Sequence, residues 1–273
     1  MELNKIYNED CYEGIKEIPD KSIDLVYIDI PYLFTNHGGG KSELARRSAK
    51  LHCELVGVEY NEEKTQAENS RIANNLKGTG LASDITSGID YSLLDELCRV
   101  MKHIHIYIWC SKNQLLDIME YFKDKNCAND LLVWCKTNPI PVGNNTYLPD
   151  LEYCLFFRER DTTKLNDGYE LKSKWYISQI NKKDKDLYDH PTIKPLELVE
   201  RHILHSTQPN DIVLDCFMGS GTTAVACKET GRNFIGFEID EHYCEIANDR
   251  LQGVTQKDKK LKEQGKLDLV DLW

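Results

Sequence analysis

Apolar residues recur along the chain at two spacings, which predict alternating strands and helices. Runs rich in β-branched and aromatic residues predict seven strands, at Lys5 to Tyr7, Ile23 to Asp29, Ile104 to Trp109, Leu131 to Lys136, Leu151 to Phe157, Ile212 to Cys216 and Phe234 to Glu238. Helical spacing predicts helices at Tyr12 to Ile18, Leu93 to Met101, Gln114 to Phe122, Leu196 to Ser206, Thr222 to Glu229 and Glu241 to Leu251. This alternation is typical of an α/β fold: a doubly wound, mainly parallel sheet with helices on both faces.

One pair of predicted strands departs from this alternation. Between Leu131 to Lys136 and Leu151 to Phe157 there is no helical pattern, only the Pro-, Gly- and Asn-rich stretch TNPIPVGNNTYLPD. Parallel strands need a long crossover, whereas antiparallel strands can be joined by a loop. We therefore expect these two strands to be antiparallel.

Three segments lack strong periodicity and predict the domain organisation. Residues 33–90 and 158–190 are interpreted as insertions on the sheet, and residues 253–273 as a polar tail. The length of 273 residues suits one catalytic domain that carries these insertions.

Composition and charge narrow the class of protein. No apolar run approaches the ~20 residues that span a bilayer, and the acidic N-terminus does not resemble a secretory signal, so we expect a cytoplasmic protein. The net charge of -11 argues against coating nucleic acid through bulk charge. Basic residues are nevertheless concentrated between Lys41 and Lys50 and between Lys172 and Lys185, which favours local contacts within the insertions, although solvated loops would show the same pattern. The ten cysteines form no CxxC, so buried thiols are favoured and no metal is expected.

A glycine-rich loop near the end of the chain indicates a cofactor that contains a ribose. In DIVLDCFMGSGTTAVACKETGRNFIGFEID, Gly219 and Gly221 lie between a predicted strand and a predicted helix, where they allow close backbone approach to a ligand. Glu238 ends the next strand, where a carboxylate can accept hydrogen bonds from ribose hydroxyls. A nicotinamide dehydrogenase is the alternative, because Ala224 completes a GxGxxG/A fingerprint. The position of the loop argues against it, since only a helix and a tail follow Glu238.

A second motif follows the buried strand that ends at Asp29. The tetrapeptide DIPY, Asp29 to Tyr32, places a carboxylate, a carbonyl group and an aromatic ring at the sheet edge where α/β enzymes bind ligands. Taken alone, Pro31 could simply end the strand and Tyr32 could pack in the core.

The order of these motifs resembles the amino-methylating DNA methyltransferases of the permuted β class, which use S-adenosylmethionine. DIPY precedes FMGSG as DPPY precedes FxGxG in that family, and NEDCYEGI, WCKTNPIP, LEYCLFFR and HPTIKP (His190 to Pro195) match further segments in order. The resemblance covers about two thirds of the chain and omits the insertions and the tail. Ile30 is a departure, because proline usually occupies that position.

The resemblance implies roles for individual residues. Asp29, Ile30, Pro31 and Tyr32 would be catalytic: the Asp29 carboxylate and the Ile30 carbonyl would each accept one N–H of the target amine, and Tyr32 would stack on the flipped base. The residues implied to bind the cofactor are Asp10, Cys11, Lys194, Pro195, Asp215, Phe217, Gly219, Gly221, Thr222, Thr223 and Glu238.

Among the cofactor residues, the pairing of charges is specific. Asp215 and Lys194 would neutralise the α-amino and α-carboxylate groups of the methionine part, and Glu238 would bind the ribose. Asp10 with the Cys11 amide would contact the adenine edge. Taken alone, Asp10 reads as a helix cap and Lys194 as a surface charge.

The target amine is predicted to be N6 of adenine in double-stranded DNA, because the resemblance associates Asp at the first motif position with adenine enzymes. N4 of cytosine stays open as an alternative, as do an RNA or protein amine and a binding module that only retains the cofactor. A cognate restriction endonuclease and a second copy of the chain are candidate partners, and a bacterial or phage origin is implied. The target sequence cannot be read from these residues.

Overall fold

The computed structural model describes residues 1–32, 90–139, 147–160, 165–166, 168–180, 187–188, 193–255 and 258–259. The strands are β1 (Lys5–Tyr7), β2 (Leu25–Asp29), β3 (His105–Cys110), β4 (Cys127–Lys136), β5 (Leu151–Glu159), β6 (Trp175–Ser178), β7 (Ile212–Asp215) and β8 (Asn233–Phe237). The helices are α1 (Cys11–Gly14), α2 (Tyr91–Val100), α3 (Leu115–Phe122), α4 (Leu196–Ser206), α5 (Thr222–Thr230) and α6 (Glu241–Leu251), with 3-10 turns at Ile15–Glu17 and Glu170–Lys172.

The strands form one sheet in the order β1-β8-β7-β2-β3-β5-β4-β6. Strand β5 is antiparallel to both of its neighbours, β3 and β4, while the other pairs are parallel. The predicted α/β class and the antiparallel β4–β5 pair are therefore confirmed. The element order also brings β1, from the start of the chain, beside β8 near its end, so the sheet around the glycine loop is completed by N-terminal strands, as predicted.

The predicted number of strands is wrong, because the described residues form a sheet of eight strands and not seven. The additional strand is β6, which lies within the segment 158–190 and pairs with β4 at the end of the sheet. Trp175 and Ile177 are exposed, and the residues between and after them are only half-buried. A four-residue strand with no fully buried position gives too weak an alternation to be recognised in the sequence.

Both faces of the central strands are covered, which explains their continuous apolar runs. On β3, Ile106 and Ile108 point into a cluster with residues of α2 and α3. The alternating residues Tyr107 and Trp109 point into a second cluster with residues of α4 and α5. The sheet is thus buried between two helical layers, and its carboxyl-terminal edge is left to bind ligands.

The predicted domain organisation stays a prediction. Of the insertion 33–90, all but Asp90 lies outside the described residues, and only part of 253–273 lies within them. The nine cysteines in the described part of the chain are free thiols. Within the same residues, no helix has the length and apolar character needed to cross a membrane, and no group of three or more potential ligands is arranged to hold a metal ion.

Candidate active site

Three carboxylates meet at the carboxyl-terminal edge of the sheet. Asp29 ends β2, Asp215 ends β7 and Glu238 directly follows β8. These strands are parallel neighbours in the sheet, so their carboxyl ends face the same side. Asp29 is far from Asp215 and Glu238 in the sequence, and the topology brings the three residues to one site.

The glycine loop has the backbone conformation that its sequence predicts. Gly219 and Gly221 have φ angles of 52° and 78°, in the left-handed region that favours glycine. A Cβ atom on Gly221 would lie 2.9 Å from the Cβ atom of Ala247 on α6. The Gly219 amide donates a hydrogen bond to Oε2 of Glu238 at 2.7 Å. The loop is therefore held against both α6 and the acidic residue that follows β8.

Glu238, the predicted ribose acceptor, is buried. Its Oε2 accepts from Gly219, and its Oε1 accepts from the Asp240 amide at 3.0 Å. Burial raises the pKa of this carboxyl group, and the backbone N–H donors oppose that shift. Each carboxylate oxygen has a further lone pair, so two hydroxyl groups can be accepted without breaking these bonds.

Asp215 is fully enclosed beside the same loop. Its Oδ1 accepts from the Phe217 amide at 2.9 Å, and its Oδ2 accepts from the Thr223 hydroxyl at 2.6 Å. Burial raises the pKa of Asp215 to about 7, and the nearby carboxylates of Asp29 and Glu238 contribute to the rise. A cationic group of a ligand placed here would compensate that unfavourable environment, so the residue fits the predicted contact with an α-ammonium group.

Thr222 supports the loop from behind. Its hydroxyl accepts from Nη1 of the buried Arg250 at 2.7 Å, and the same guanidinium group donates to Ser220. A buried guanidinium group is therefore hydrogen-bonded to the segment between β7 and β8. Sequence reasoning did not identify Arg250, because an arginine in a helix ordinarily reads as an exposed residue.

The N-terminal segment lies beside this edge. Asp10 caps α1, where its carboxylate accepts from the Tyr12 amide at 3.0 Å, and Cys11 is buried. The side-chain amide of Asn8 donates to the Glu238 carbonyl oxygen at 2.9 Å, which ties this segment to the end of β8. Ile239 is 60% exposed beside Glu238, an apolar surface that sequence reasoning did not identify. The predicted adenine contact of Asp10 and Cys11 stays a prediction.

The tetrapeptide at the end of β2 is fixed by its neighbours. The Ile30 amide, which a proline would lack, donates to the Trp109 carbonyl oxygen at 3.1 Å. The Pro31 carbonyl accepts from the side chain of Gln114 at 2.9 Å. The isoleucine side chain is buried in the core. The departure from the family pattern therefore leaves no N–H group unsatisfied, and the Ile30 carbonyl keeps its place after the strand.

Asp29 has two carboxylate oxygens with different surroundings. Oδ2 accepts from Nζ of Lys194 at 2.5 Å, whereas Oδ1 is buried and receives no hydrogen bond from the described residues. Burial raises the pKa of Asp29, the Lys194 ammonium group lowers it, and Glu152 raises it. An unpaired buried oxygen is unfavourable unless a donor reaches it, so Oδ1 is suited to an N–H group of a substrate.

Lys194 lies among the residues predicted to be catalytic. Its Nζ atom is 2.9 Å from Oε2 of Glu152 and 3.4 Å from the hydroxyl oxygen of Tyr32, in addition to its contact with Asp29. Pro195 directly precedes α4 and so fixes where that helix begins. The predicted pairing of Lys194 with the cofactor carboxylate stays a prediction. Sequence reasoning missed Glu152, for which the only signal was a charged residue in the apolar run LEYCLFF.

The mainly parallel sheet is flanked by helices, and its carboxyl-terminal edge carries a glycine loop and three carboxylates. These features define an α/β enzyme of the methyltransferase type. A family model described as DNA methylase matches residues 23–249, and the chain belongs to that family. It is a DNA amino-methyltransferase that uses S-adenosylmethionine as methyl donor. The predictions of the family, the activity and the cofactor are thereby confirmed, and the adenine-N6 assignment agrees with them.

Individual relatives agree with the assignment of the chain to the DNA methylase family. The chain is 31% identical to the type II methyltransferase M2.DpnII of Streptococcus pneumoniae over 90% of its own length and 89% of that protein. It is 29% identical to the type II methyltransferase M.HinfI of Haemophilus influenzae over 92% of its own length and 69% of that protein.

Solved structures support the fold. The complex of M1.HpyAVI with S-adenosylmethionine matches with a TM-score of 0.54 at 24% identity, covering 90% of this chain and 98% of that one. The PvuII DNA methyltransferase, described as cytosine-N4-specific, matches with a TM-score of 0.62 at 15% identity, covering 90% of this chain and 85% of that one.

Proposed function

We propose that the chain transfers a methyl group from S-adenosylmethionine to N6 of an adenine that is flipped out of double-stranded DNA. The observation that carries the proposal is the unpaired Oδ1 of Asp29, buried at the edge of the sheet where Asp215 and Glu238 also lie. A carboxylate oxygen with no donor of its own, next to a site suited to the cofactor, is what an exocyclic amine requires.

The chemistry of the amine explains why two acceptors are needed. The lone pair of an exocyclic amine is conjugated with the base ring, so the nitrogen is a poor nucleophile. Oδ1 of Asp29 and the carbonyl oxygen of Ile30 would each accept one N–H, which favours a tetrahedral nitrogen with its lone pair directed at the methyl group. Tyr32 would stack on the flipped base and compensate part of the cost of unstacking it.

We call the carboxyl ends of β7 and β8, together with the loop from Phe217 to Thr223, the cofactor edge. Its residues are assigned to the parts of the donor that their chemistry suits. Glu238 would accept from the ribose hydroxyls, and Asp215 would pair with the α-ammonium group. The loop residues Phe217, Gly219, Gly221, Thr222 and Thr223 would enclose the methionine part. When bound, the cofactor supplies an electrophilic methyl group on a sulfonium.

Four residues outside these strands complete the proposed set. Asp10 and the Cys11 amide would contact the adenine edge of the cofactor, and Ile239 offers an exposed apolar surface beside them. Pro195 holds the start of α4 next to the site.

The choice of adenine rests on the first residue of the tetrapeptide. The two acceptors suit the amine of either base, so the geometry alone does not choose between them. Asp29 favours N6 of adenine by family resemblance. N4 of cytosine is the second candidate, and the fold likeness to the cytosine-N4-specific PvuII enzyme is the observation in its favour.

The proposal extends to partners and setting. The insertions 33–90 and 158–190 would contact the DNA, because they concentrate basic residues in a chain with a net charge of -11. A cognate restriction endonuclease and a second copy of the chain are proposed partners, by resemblance to type II systems. A bacterial or phage-encoded protein in the cytoplasm is proposed, which suits free thiols.

The test is a product analysis. Unmethylated genomic DNA is incubated with the protein and donor carrying an isotopically labelled methyl group, digested to nucleosides and separated by mass. Labelled N6-methyldeoxyadenosine is expected, and single-molecule sequencing of the same DNA then gives the target site. N4-methylcytosine as the sole product would overturn the choice of base, and absence of label from the DNA would overturn the proposed function.

A further inference from the structure

Four charged side chains of alternating sign form a continuous chain of ion pairs that ends at the catalytic carboxylate. Nζ of Lys136 lies 2.6 Å from Oε1 of Glu152, Oε2 of Glu152 lies 2.9 Å from Nζ of Lys194, and Nζ of Lys194 lies 2.5 Å from Oδ2 of Asp29. These residues come from β4, β5, the segment before α4, and β2. We call them the ion-pair chain.

Most of the ion-pair chain is withdrawn from solvent. The side chains of Lys136 and Glu152 are each 14% exposed and that of Lys194 is 11% exposed. Removing charges from water costs more than such pairs usually return, so buried ion pairs are weak devices for stabilising a fold. Their position at the active site indicates a role in the reaction.

All three N–H donors of the Lys194 ammonium group have partners inside the active site. Two of them face the carboxylates of Asp29 and Glu152, and the hydroxyl oxygen of Tyr32 lies 3.4 Å away. An ammonium group has three donors and no acceptor. This arrangement leaves no donor for the carboxylate of a cofactor unless one of the observed contacts is broken.

Glu152 is linked to both functional parts of the tetrapeptide, to Tyr32 directly and to Asp29 through Lys194. It accepts from Lys194, which holds Asp29, and its Oε2 also accepts from the Tyr32 hydroxyl at 3.3 Å. Lys136 neutralises the other oxygen of Glu152. The two lysines outweigh the effect of burial and lower the pKa of Glu152 to about 2, so it is ionised throughout the working range.

We infer that Lys194 and Glu152 are positioning residues of the methyl transfer: Lys194 holds the Asp29 carboxylate through Oδ2 and reserves Oδ1 for the target amine, and Glu152 holds Lys194 and Tyr32. The inference rests on the proposed function, because it assigns Oδ1 to the amine. It replaces the pairing of Lys194 with the cofactor carboxylate by a role at the opposite end of the site.

The charges around Asp29 give the inference a consequence that can be measured. Within the described residues, the titratable groups that act on it are Lys194, Glu152, Tyr32, Asp215, Cys110, Cys154 and Tyr27. Among them only Lys194 carries positive charge. Removing it raises the pKa of Asp29, whereas removing the negative charge of Glu152 lowers that pKa.

The two substitutions should therefore shift the pH profile in opposite directions. In Lys194→Met, the acid limb of the transfer rate moves to higher pH by about one unit or more. In Glu152→Gln, it moves to lower pH. In both, the rate at the optimum falls about 10- to 100-fold, because the acceptor and the stacking ring lose their fixed positions. Affinity for S-adenosylmethionine changes less than about threefold, since neither residue is assigned to the cofactor.

The experiment is a single-turnover measurement of methyl transfer across pH, paired with calorimetry of donor binding. Lys194→Arg keeps the cation and should keep the acid limb at its wild-type pH, with a reduced rate. Glu120→Gln removes the carboxylate of an exposed ion pair with Lys123 at the end of α3, outside both insertions, and should match the wild type. Circular dichroism establishes that each variant is folded.

Opposite shifts of the acid limb with unchanged donor affinity would support the inference. It is overturned if folded Glu152→Gln keeps the wild-type rate and acid limb, or if Lys194→Met or Lys194→Arg loses donor affinity at least tenfold while its acid limb stays in place. Should Lys194→Met not fold, Glu152→Gln and Lys194→Arg still decide. A wild-type protein that methylates no DNA would instead contradict the proposed function, so the two failures can be told apart.

Discussion

The two halves of the active site are built in different ways. At the cofactor edge, the carboxylates of Asp215 and Glu238 are held by backbone N–H groups and a hydroxyl of their own loop, all within residues 215–240. At the end that contains the tetrapeptide, which we call the target end, the Asp29 carboxylate pairs with the side chain of Lys194. Lys194 pairs in turn with Glu152. Backbone donors fix a carboxylate within one motif, whereas the ion-pair chain needs four segments to be folded together.

This contrast separates two kinds of function. A carboxylate held by the backbone can bind one ligand in a constant geometry. A carboxylate held by the side chain of a lysine depends on the charge and position of that lysine, and through it on the neighbours that hold the lysine. We therefore expect substitutions at the cofactor edge to change donor affinity and substitutions at the target end to change the transfer rate.

The largest effect is expected at the target end, for Asp29→Asn. The substitution keeps the size of the side chain and removes the charge that accepts from the amine, so the transfer rate should fall about 100- to 1,000-fold. Donor affinity measured by calorimetry should be unchanged. Transfer of labelled methyl groups to DNA is the assay, and a variant with the wild-type rate would remove the mechanism proposed above.

At the cofactor edge, Glu238→Ala should weaken donor binding by about 30- to 1,000-fold, because two ribose hydroxyls lose a charged acceptor. This loss of affinity corresponds to ~2 to 4 kcal/mol. Calorimetry measures the effect. Glu238→Gln keeps one acceptor without the charge, so its donor affinity should lie between those of Glu238→Ala and the wild type. NAD serves as a control ligand. Tight binding of NAD by the wild type, without binding of S-adenosylmethionine, would contradict the assignment of this edge.

The cofactor edge should also show a pH dependence of its own. Burial raises the pKa of Asp215 to about 7, so the free protein carries a proton there in mildly acidic solution. Pairing with an α-ammonium group favours the ionised form, so binding should release a proton. Donor affinity should therefore increase as pH rises from about 5.5 to about 7, by up to about tenfold per unit, and then level off.

Calorimetry in buffers of different ionisation enthalpy measures this proton release. Asp215→Asn cannot titrate and should bind more weakly with no rise over the same range. A wild-type affinity that stays constant from about pH 5.5 to about 7 would show that Asp215 does not pair with the cation.

A further prediction concerns the contribution of the glycine loop to the stability of the fold. Gly221→Ala should destabilise the fold by about 2 to 4 kcal/mol, because alanine is strained at a φ of 78° and its Cβ would contact Ala247 at 2.9 Å. Gly231→Ala is the matched control: φ is 73°, but nothing lies within 4 Å of the added atom, so only the backbone strain of about 1 kcal/mol is expected. Denaturant unfolding compares the two, and equal losses would refute the packing argument.

The same contrast explains what the sequence could predict. The cofactor edge lies in one continuous segment with a strand, a glycine loop, a helix and a terminal acid, so each neighbour could be identified from spacing. The ion-pair chain joins residues 29, 136, 152 and 194, and no local pattern connects them. In the sequence, Glu152 and Gln114 cannot be distinguished from other polar residues, because only the fold brings them next to the tetrapeptide.

Strand prediction failed for a related reason. Most predicted strands are buried on one or both faces and were recognised by their apolar residues. Strand β6 is held by its backbone pairing with β4 at the end of the sheet, while Trp175 and Ile177 point to solvent. Pairing of this kind depends on the neighbouring strand and leaves little trace in the sequence.

The most direct test compares the wild type with Asp29→Asn, both saturated with methyl-labelled donor, in a single turnover on unmethylated DNA followed by nucleoside mass analysis. The account predicts labelled N6-methyldeoxyadenosine from the wild type and almost none from the variant, with equal donor occupancy in both. Equal yields of methylated adenine from the two proteins would contradict it.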